Sequence, residues 1–379
     1  MRFLHTSDWH LGRQFHNLSL LEDQAYVLDQ LVEIVAEQQV DAVLVSGDIY
    51  DRSVPPAAAV SLLDDVIHRI NTKLGVPMLF IAGNHDSAER LGFGARALAR
   101  SGIYFMGQPG HMPTRVLLSD EQGEIAFFGL PYADPVTVRH HLGVDVHNHE
   151  QAMSALLTQV QGQTQGLRTV VLAHCFVAGG VESESERPLS VGGAGQVPAS
   201  LFQPFDYAAL GHLHAPQSRQ WPHVRYSGSL LKYSFSEEKQ KKSVTLVDMD
   251  AQGKCSTTQI PFRPLHDMRI LEGDFEGLLK QGETDANRED YLLIRLLDTH
   301  AIHDPMQRLR DIYPNILHLE RPGLLVGGER QQSSRERLAV GELPLFADFY
   351  QQMTGEALSA SGQQLLADIL RDLHTEEEV

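Results

Sequence analysis

Short aliphatic runs that end abruptly in polar clusters recur along the first two thirds of the chain. Ala42-Val43-Leu44-Val45 and Met78-Leu79-Phe80-Ile81 are apolar at every position, as expected of strands buried on both faces within a layered fold. Five such junctions stand out: Arg2 to Asp8, Asp41 to Asp48, Val76 to Asp86, Thr169 to His174, and Tyr207 to His214. Between them, Glu22 to Gln38 and Ala57 to Lys73 place aliphatics at helical spacing. This strand and helix alternation predicts an α/β fold. In an open α/β sheet the ligand site lies beyond the carboxyl ends of the strands, and each polar cluster stands at such an end. The pattern sends the chemistry to one edge of the sheet.

After about residue 262 the texture changes. Pro261 and Pro264 break the pattern, and no further ligand-rich junction follows. Met268 to Leu271 and Tyr291 to Leu297 read as strands and His303 to Asp311 as a helix, which predicts a small α+β module over 263–326. Residues 327–341 are polar and read as a linker. The tail, 342–379, carries Leu343, Leu345, Phe346, Phe349 and Met353, then Leu366, Ile369, Leu370 and Leu373, at offsets that predict two amphipathic helices.

Composition narrows the class. At 379 residues the chain exceeds the usual size of one hydrophobic core. Its apolar fraction of 42% and charged fraction of 21% are ordinary globular values. No apolar stretch is long enough to span a bilayer, and the N-terminus lacks the apolar core of a secretory signal. Cys175 and Cys255 cannot build a disulfide framework. A cytoplasmic protein with no membrane partner is expected. The net charge of -18 argues against a passive, whole-surface binder of nucleic acid. It leaves room for an enzyme that holds phosphates through divalent cations.

The junctions themselves spell Asp8-Trp9-His10, Gly47-Asp48, Gly83-Asn84-His85-Asp86, His174, and Gly211-His212-Leu213-His214, in that order. Carboxylate, amide and imidazole donors together suit Mn, Fe or Zn better than the all-oxygen shell of Mg or Ca. A pair of ions about 3.5 to 4 Å apart needs a bridging ligand with two oxygens, and Asp48 is the candidate. His85 adjoins a ligand but is better used as a general acid. For Asp86 two roles stand open: pairing with His85 or the adjacent backbone, or capping the next helix.

In this order and strand context the motifs D-x-H, G-D, G-N-H-[DE], H and G-H-x-H resemble the calcineurin-like metallophosphoesterase superfamily, over roughly residues 1–262. More narrowly, His5 to Gly12 and Ala209 to His214 look like the SbcD family of bacterial DNA-repair nucleases. The resemblance implies a four-layer β-sandwich flanked by helices, with a small α+β capping domain and a helical C-terminal tail. It implies Asp8, His10 and His214 on one metal, Asn84, His174 and His212 on the other, Asp48 between them, and manganese as the expected ion, with iron or zinc as alternatives. It also implies 3'-to-5' exonuclease and single-strand endonuclease action on DNA, and docking of 342–379 on the coiled-coil base of an SbcC-type ATPase. Dimerisation is expected through helices near 57–70 and 91–98. The sequence has no G-x-x-x-x-G-K-[ST] of its own.

One departure concerns Asp51, where archaeal nuclease relatives carry a His, so a second imidazole acid is not expected there. Asp51 instead orients a ligand or starts a turn. A cyclic-nucleotide or other small phosphodiesterase is the nearest rival, and the additional module and tail speak against it. A non-catalytic DNA-end scaffold is a third, and the non-ligand His85 speaks against that. His147, His149 and Glu150 read as a solvated loop. Gly92-Phe93-Gly94 before Ala97 lacks the strand a dinucleotide fingerprint needs. Lys239, Lys241 and Lys242 read either as DNA-backbone contacts or as a solvated hairpin. Residues 178–195, with Glu182, Glu184 and Glu186, read either as a mobile loop over the active face or as functionless disorder.

Overall fold

The computed structural model describes residues 1–164, 166–189, 195–322, 343, 346–347, 350 and 358–376. Met1–Arg187 and Gln196–Val326 form one compact unit, and Pro188–Gly195 with Gly327–Val379 form a second. The apolar runs of the sequence become the middle of two stacked six-stranded sheets. In the first, Arg2–Thr6, Ala42–Ser46, Met78–Ile81 and Ile103–Phe105 run parallel, and Ser243–Met249 and Cys255–Pro261 add antiparallel strands at one edge. In the second, Gly123–Leu130, Arg168–His174, Tyr207–Gly211 and Trp221–Tyr226 run parallel, with antiparallel Thr114–Asp120 and Gln217–Arg219 outside them.

Alternation along each strand divides the side chains between layers. Phe3, Ala42, Leu44, Leu79 and Ile81 meet Phe127, Val170, Leu172, Tyr207 and Ala209 between the sheets. Leu4, Val43, Val45 and Phe80 face the helix Leu21–Glu37 and the helix Ala57–Ile67 on one outer side. Phe128, Val171, Ala173 and Leu210 face the helix His149–Gln161 on the other. The result is the expected four-layer α/β sandwich. His5 bridges its inner layer, with Nδ1 3.1 Å from the Tyr207 hydroxyl and Nε2 3.2 Å from the Leu210 carbonyl.

The module predicted after residue 262 is a parallel three-stranded sheet of Met268–Gly273, Tyr291–Leu296 and Ile316–Glu320, with helices Phe275–Gly282 and Pro305–Arg310. It lies in the first compact unit. Helix Phe275–Gly282 and strand Ile316–Glu320 were not legible in the sequence, because each is short and half polar. Several contacts fasten this module to the sandwich, among them Glu238, which accepts the Ile270 amide at 3.1 Å, Lys232, which pairs with Asp267 at 2.7 Å, and the Tyr291 hydroxyl, which donates to Asp23 at 2.7 Å.

One expectation is corrected. His149 and Glu150 are not in a solvated loop but open the helix His149–Gln161, whose start Asn148 caps by accepting the Gln151 amide. In the tail, one of the two expected amphipathic helices spans Ala360–Glu376, and Leu343, Phe346, Ala347 and Tyr350, in the stretch expected to form the other, are helical. The linker 327–341 and, in the preceding apolar run, Leu345, Phe349 and Met353 lie outside the described residues.

Candidate metal centre

Five loops leave the carboxyl ends of the central strands and interlock. The Asp8 and His10 amides donate to the Gly47 and Asp48 carbonyls at 3.0 and 2.9 Å, which zips the first loop to the second. The glycines of the motifs permit this closeness. A Cβ on Gly211 would fall inside the Ser46 carbonyl oxygen, and one on Gly83 inside the Asp48 carboxylate. Asp8, His10, Asp48 and His212 all adopt positive φ, between 47° and 110°. Such backbone is costly for non-glycine residues and persists only where surrounding contacts enforce it.

The seven side chains predicted as ligands are gathered here. Asp8, His10 and His214 bring ligand atoms within 4.8 Å of one another, as do Asp8, Asp48 and His174. Asp48 Oδ2 lies between the halves, 3.7 Å from His10 Nε2 and 3.5 Å from His174 Nε2. The Asn84 amide oxygen stands 2.9 Å from His174 Nε2 and 3.3 Å from His212 Nδ1. His10 and His214 present their Nε2 atoms to each other at 3.1 Å.

The donor set fits divalent cations. His174 Nδ1 lies 3.0 Å from the Ser46 carbonyl, which fixes its proton there and turns an Nε2 lone pair inward. His214 Nδ1 is likewise committed, 2.6 Å from the Ser185 hydroxyl and 3.2 Å from Glu237. Two imidazole nitrogens 3.1 Å apart match donors sharing one ion at about 2.0–2.1 Å each. The electrostatics ask for the same thing. Burial pushes Asp8 up to about 6, against the pull of His174 and His214. Burial opposes the charge on Asp48 too, yet His174 and His10 hold it well below the usual carboxylate range. His174 is raised to about 9 because Asp48 outweighs its burial. A cation entering here replaces that imidazole proton as the partner of Asp48.

His85 stands beside these groups. Its amide donates to Asp48 Oδ1 at 2.9 Å, and its Nδ1 lies 2.8 Å from the Asp51 carbonyl oxygen. Asp51 therefore aims His85 through its backbone, while its carboxylate pairs with Arg13 at 3.3 Å and approaches His10 Nδ1 at 3.7 Å. Of the roles open to Asp86, it takes a backbone partner and neither His85 nor the cap. Its carboxylate accepts the amides of Gly83, Ile49 and Tyr50 at 2.9, 3.0 and 2.9 Å, clamping the Asp48 loop to the Asn84 loop. The next helix is capped by Ser87 instead. Among the described residues no hydrogen bond joins Asp86 to His85, and the carboxylate is taken up by the loop amides.

Residues the sequence did not single out as part of the centre complete it. Gln24 donates to the His10 carbonyl at 2.7 Å and accepts the Gly12 amide at 3.0 Å. Glu237, fully buried, is held by Lys242 at 2.6 Å, and Lys242 also donates to the His214 carbonyl at 2.9 Å. Lys242 is thus neither a DNA-backbone contact nor part of a solvated hairpin. Glu186 accepts the His214 amide at 2.8 Å, so this part of the supposed mobile loop is pinned under a candidate ligand, whereas residues 190–194 lie outside the described set. No spacing rule pairs residue 214 with residues 185, 186, 237 and 242; only the fold brings them together.

A Staphylococcus saprophyticus protein described as the D subunit of nuclease SbcCD is 34% identical over 375 residues, 98% of this chain and 98% of its own. A Staphylococcus epidermidis protein of the same description is 34% identical over 361 residues, 95% of each chain. The calcineurin-like phosphoesterase model matches residues 1–216. The chain belongs to the calcineurin-like phosphoesterases, in the family of nuclease SbcCD D subunits. A second model, described as a type 5 capsule protein repressor C-terminal domain, matches residues 264–354. Membership makes the chain a hydrolase of phosphate esters, and every motif of the phosphoesterase family reaches the centre from a strand end.

Proposed function

We propose that this chain is a manganese-dependent DNA nuclease that works with an SbcC-type ATPase. The observation that carries the reading is the convergence of Asp8, His10, Asp48, Asn84, His174, His212 and His214 around Asp48 Oδ2. When bound, two divalent ions supply Lewis-acid stabilisation of phosphoryl oxygens and lower the pKa of water so that it attacks near neutral pH. The chain's own residues do the rest. The Nδ1 proton of His85 is committed to the Asp51 carbonyl, so the proton given to the leaving oxygen is the one on Nε2. Asp86 and Gln24 hold the loops that carry the ligands.

The division 1–262 as nuclease domain, 263–326 as cap and 342–379 as the SbcC-binding tail belongs to the same reading. It is supported by the amphipathic helix Ala360–Glu376, on which Leu365 and Ile369 are exposed. So does a homodimer. A groove of about 660 Å³ lined by Val54, Val60, Ile67, Phe93 and Leu98 lies between the predicted helices, and Phe93 is 87% exposed. Phe93→Asp is expected to convert dimer to monomer in sedimentation velocity, and an unchanged dimer excludes this face.

The deciding assay incubates full-length protein and manganese with a labelled DNA hairpin, with and without the ATPase. Cleavage of bis-p-nitrophenyl phosphate with DNA left intact under every condition rejects the nuclease reading.

A further inference from the structure

The two halves of the centre are backed by different chemistry. His174 leans on a neutral group, the Ser46 carbonyl at 3.0 Å. His214 leans on an ionised one. Its Nδ1 faces Ser185 Oγ at 2.6 Å and Glu237 Oε1 at 3.2 Å, and Ser185 itself donates to Glu237. Glu237 Oε2 is held in turn by Lys242 at 2.6 Å and by the Tyr233 amide at 3.3 Å. Both charged side chains are buried. Burying an ion pair is expensive and is weak evidence for stability as such. A carboxylate behind a ligating imidazole, however, fixes its tautomer and ring angle and raises its basicity towards a metal.

Resting on the metal-centre reading above, we infer that Glu237, secured by Lys242, is a positioning residue that sets metal affinity in the Asp8–His10–His214 half of the centre and not in the His174–His212 half. The backbone of His214 is held apart from Glu237 and Lys242 by Glu186, which accepts its amide. Replacing the Glu237 carboxylate therefore alters the orientation and basicity of the ring while the loop stays in place.

The test titrates manganese alone into the full chain by calorimetry. It compares wild type, Glu237→Gln, Lys242→Met, and the two combined, the Lys242→Met variant reporting what the loss of its own bond to the His214 carbonyl does. The combined variant leaves no buried ammonium without its partner, and a thermal melt reports that it folds. Wild type is expected to bind about two ions. The combined variant is expected to keep one at wild-type affinity and weaken the other roughly 10- to 100-fold. In a His214→Ala background the same change is expected to have little further effect, because the handle is already gone. Hydrolysis of bis-p-nitrophenyl phosphate by the combined variant should return towards wild type at high manganese, which general damage to the fold would not allow. Unaltered binding of both ions in the folded combined variant overturns the proposal. So does equal weakening of both, full additivity with His214→Ala, or no rescue by manganese. Failure of wild type to bind manganese at all overturns the metal-centre reading itself, and this proposal with it.

Discussion

His85 sits between a candidate ligand and a backbone acceptor, and its role separates chemistry from binding. Its amide touches Asp48 and its ring is aimed by the Asp51 carbonyl. His85→Ala removes a proton donor and no predicted ligand. The expected result is a drop in kcat of about 100- to 10 000-fold with manganese stoichiometry unchanged by titration. Full-rate cleavage by the variant refutes the acid assignment. The candidate ligands and His85 were legible in the sequence because each sits at a strand end and, His174 apart, in a short motif. For Asp86 a backbone partner was one of the roles the sequence left open, but which amides was not legible, since Ile49 and Tyr50 reach it across loops that only the fold juxtaposes. Lys242 was misread for the same reason, as its partners Glu237 and His214 lie at separations no motif encodes.

At the scale of elements, the sandwich is assembled by strands whose inner faces are mainly apolar, with His5, Ser46 and Thr245 as buried polar residues among them. His5 lies wholly between the sheets, and burial lowers its pKa to about 3. Its folded value is below the unfolded value of about 6.5, so the unfolded chain takes up the proton first. The contribution to stability is intact above about pH 6.5 and is lost as pH falls towards 3. For His5→Gln, urea unfolding between pH 6.5 and 4.5 is expected to show a shallower loss, by about 1.4 kcal/mol per pH unit; an unchanged slope shows that His5 is not the group titrating. Gly211 tests the other end of the strands. Because a Cβ there meets the Ser46 carbonyl, Gly211→Ala should destabilise by roughly 2–4 kcal/mol and abolish tight manganese binding. Retention of both properties in denaturation and titration would show that the loops can part without cost. The long strands and first two helices were readable from apolar runs and helical spacing. Helix Phe275–Gly282 and strand Ile316–Glu320 were not, because their identity is decided by packing on each other in a small core.

For the whole molecule, a small part of the net charge of -18 has a location. Asp8 and Asp48 are buried and Asp86 is half-buried around one point, with Glu237 paired to Lys242. Cations bound there should therefore stabilise the fold, by about 2.7 kcal/mol per ion at a hundredfold excess over Kd. A rise in Tm of roughly 5 °C with manganese, reversed by chelation, is the expected reading in scanning fluorimetry. No shift would mean that the gathered carboxylates do not hold ions in solution. The cap adds a different kind of constraint. Glu237 reaches towards His214, and the next residue, Glu238, accepts the Ile270 amide on the first strand of the cap. Consecutive Cα atoms are about 3.8 Å apart and cannot stretch. The module after residue 262 and the His214 ring are thus fastened to neighbouring residues of one chain, so a shift of that strand is felt next to the residue that holds His214.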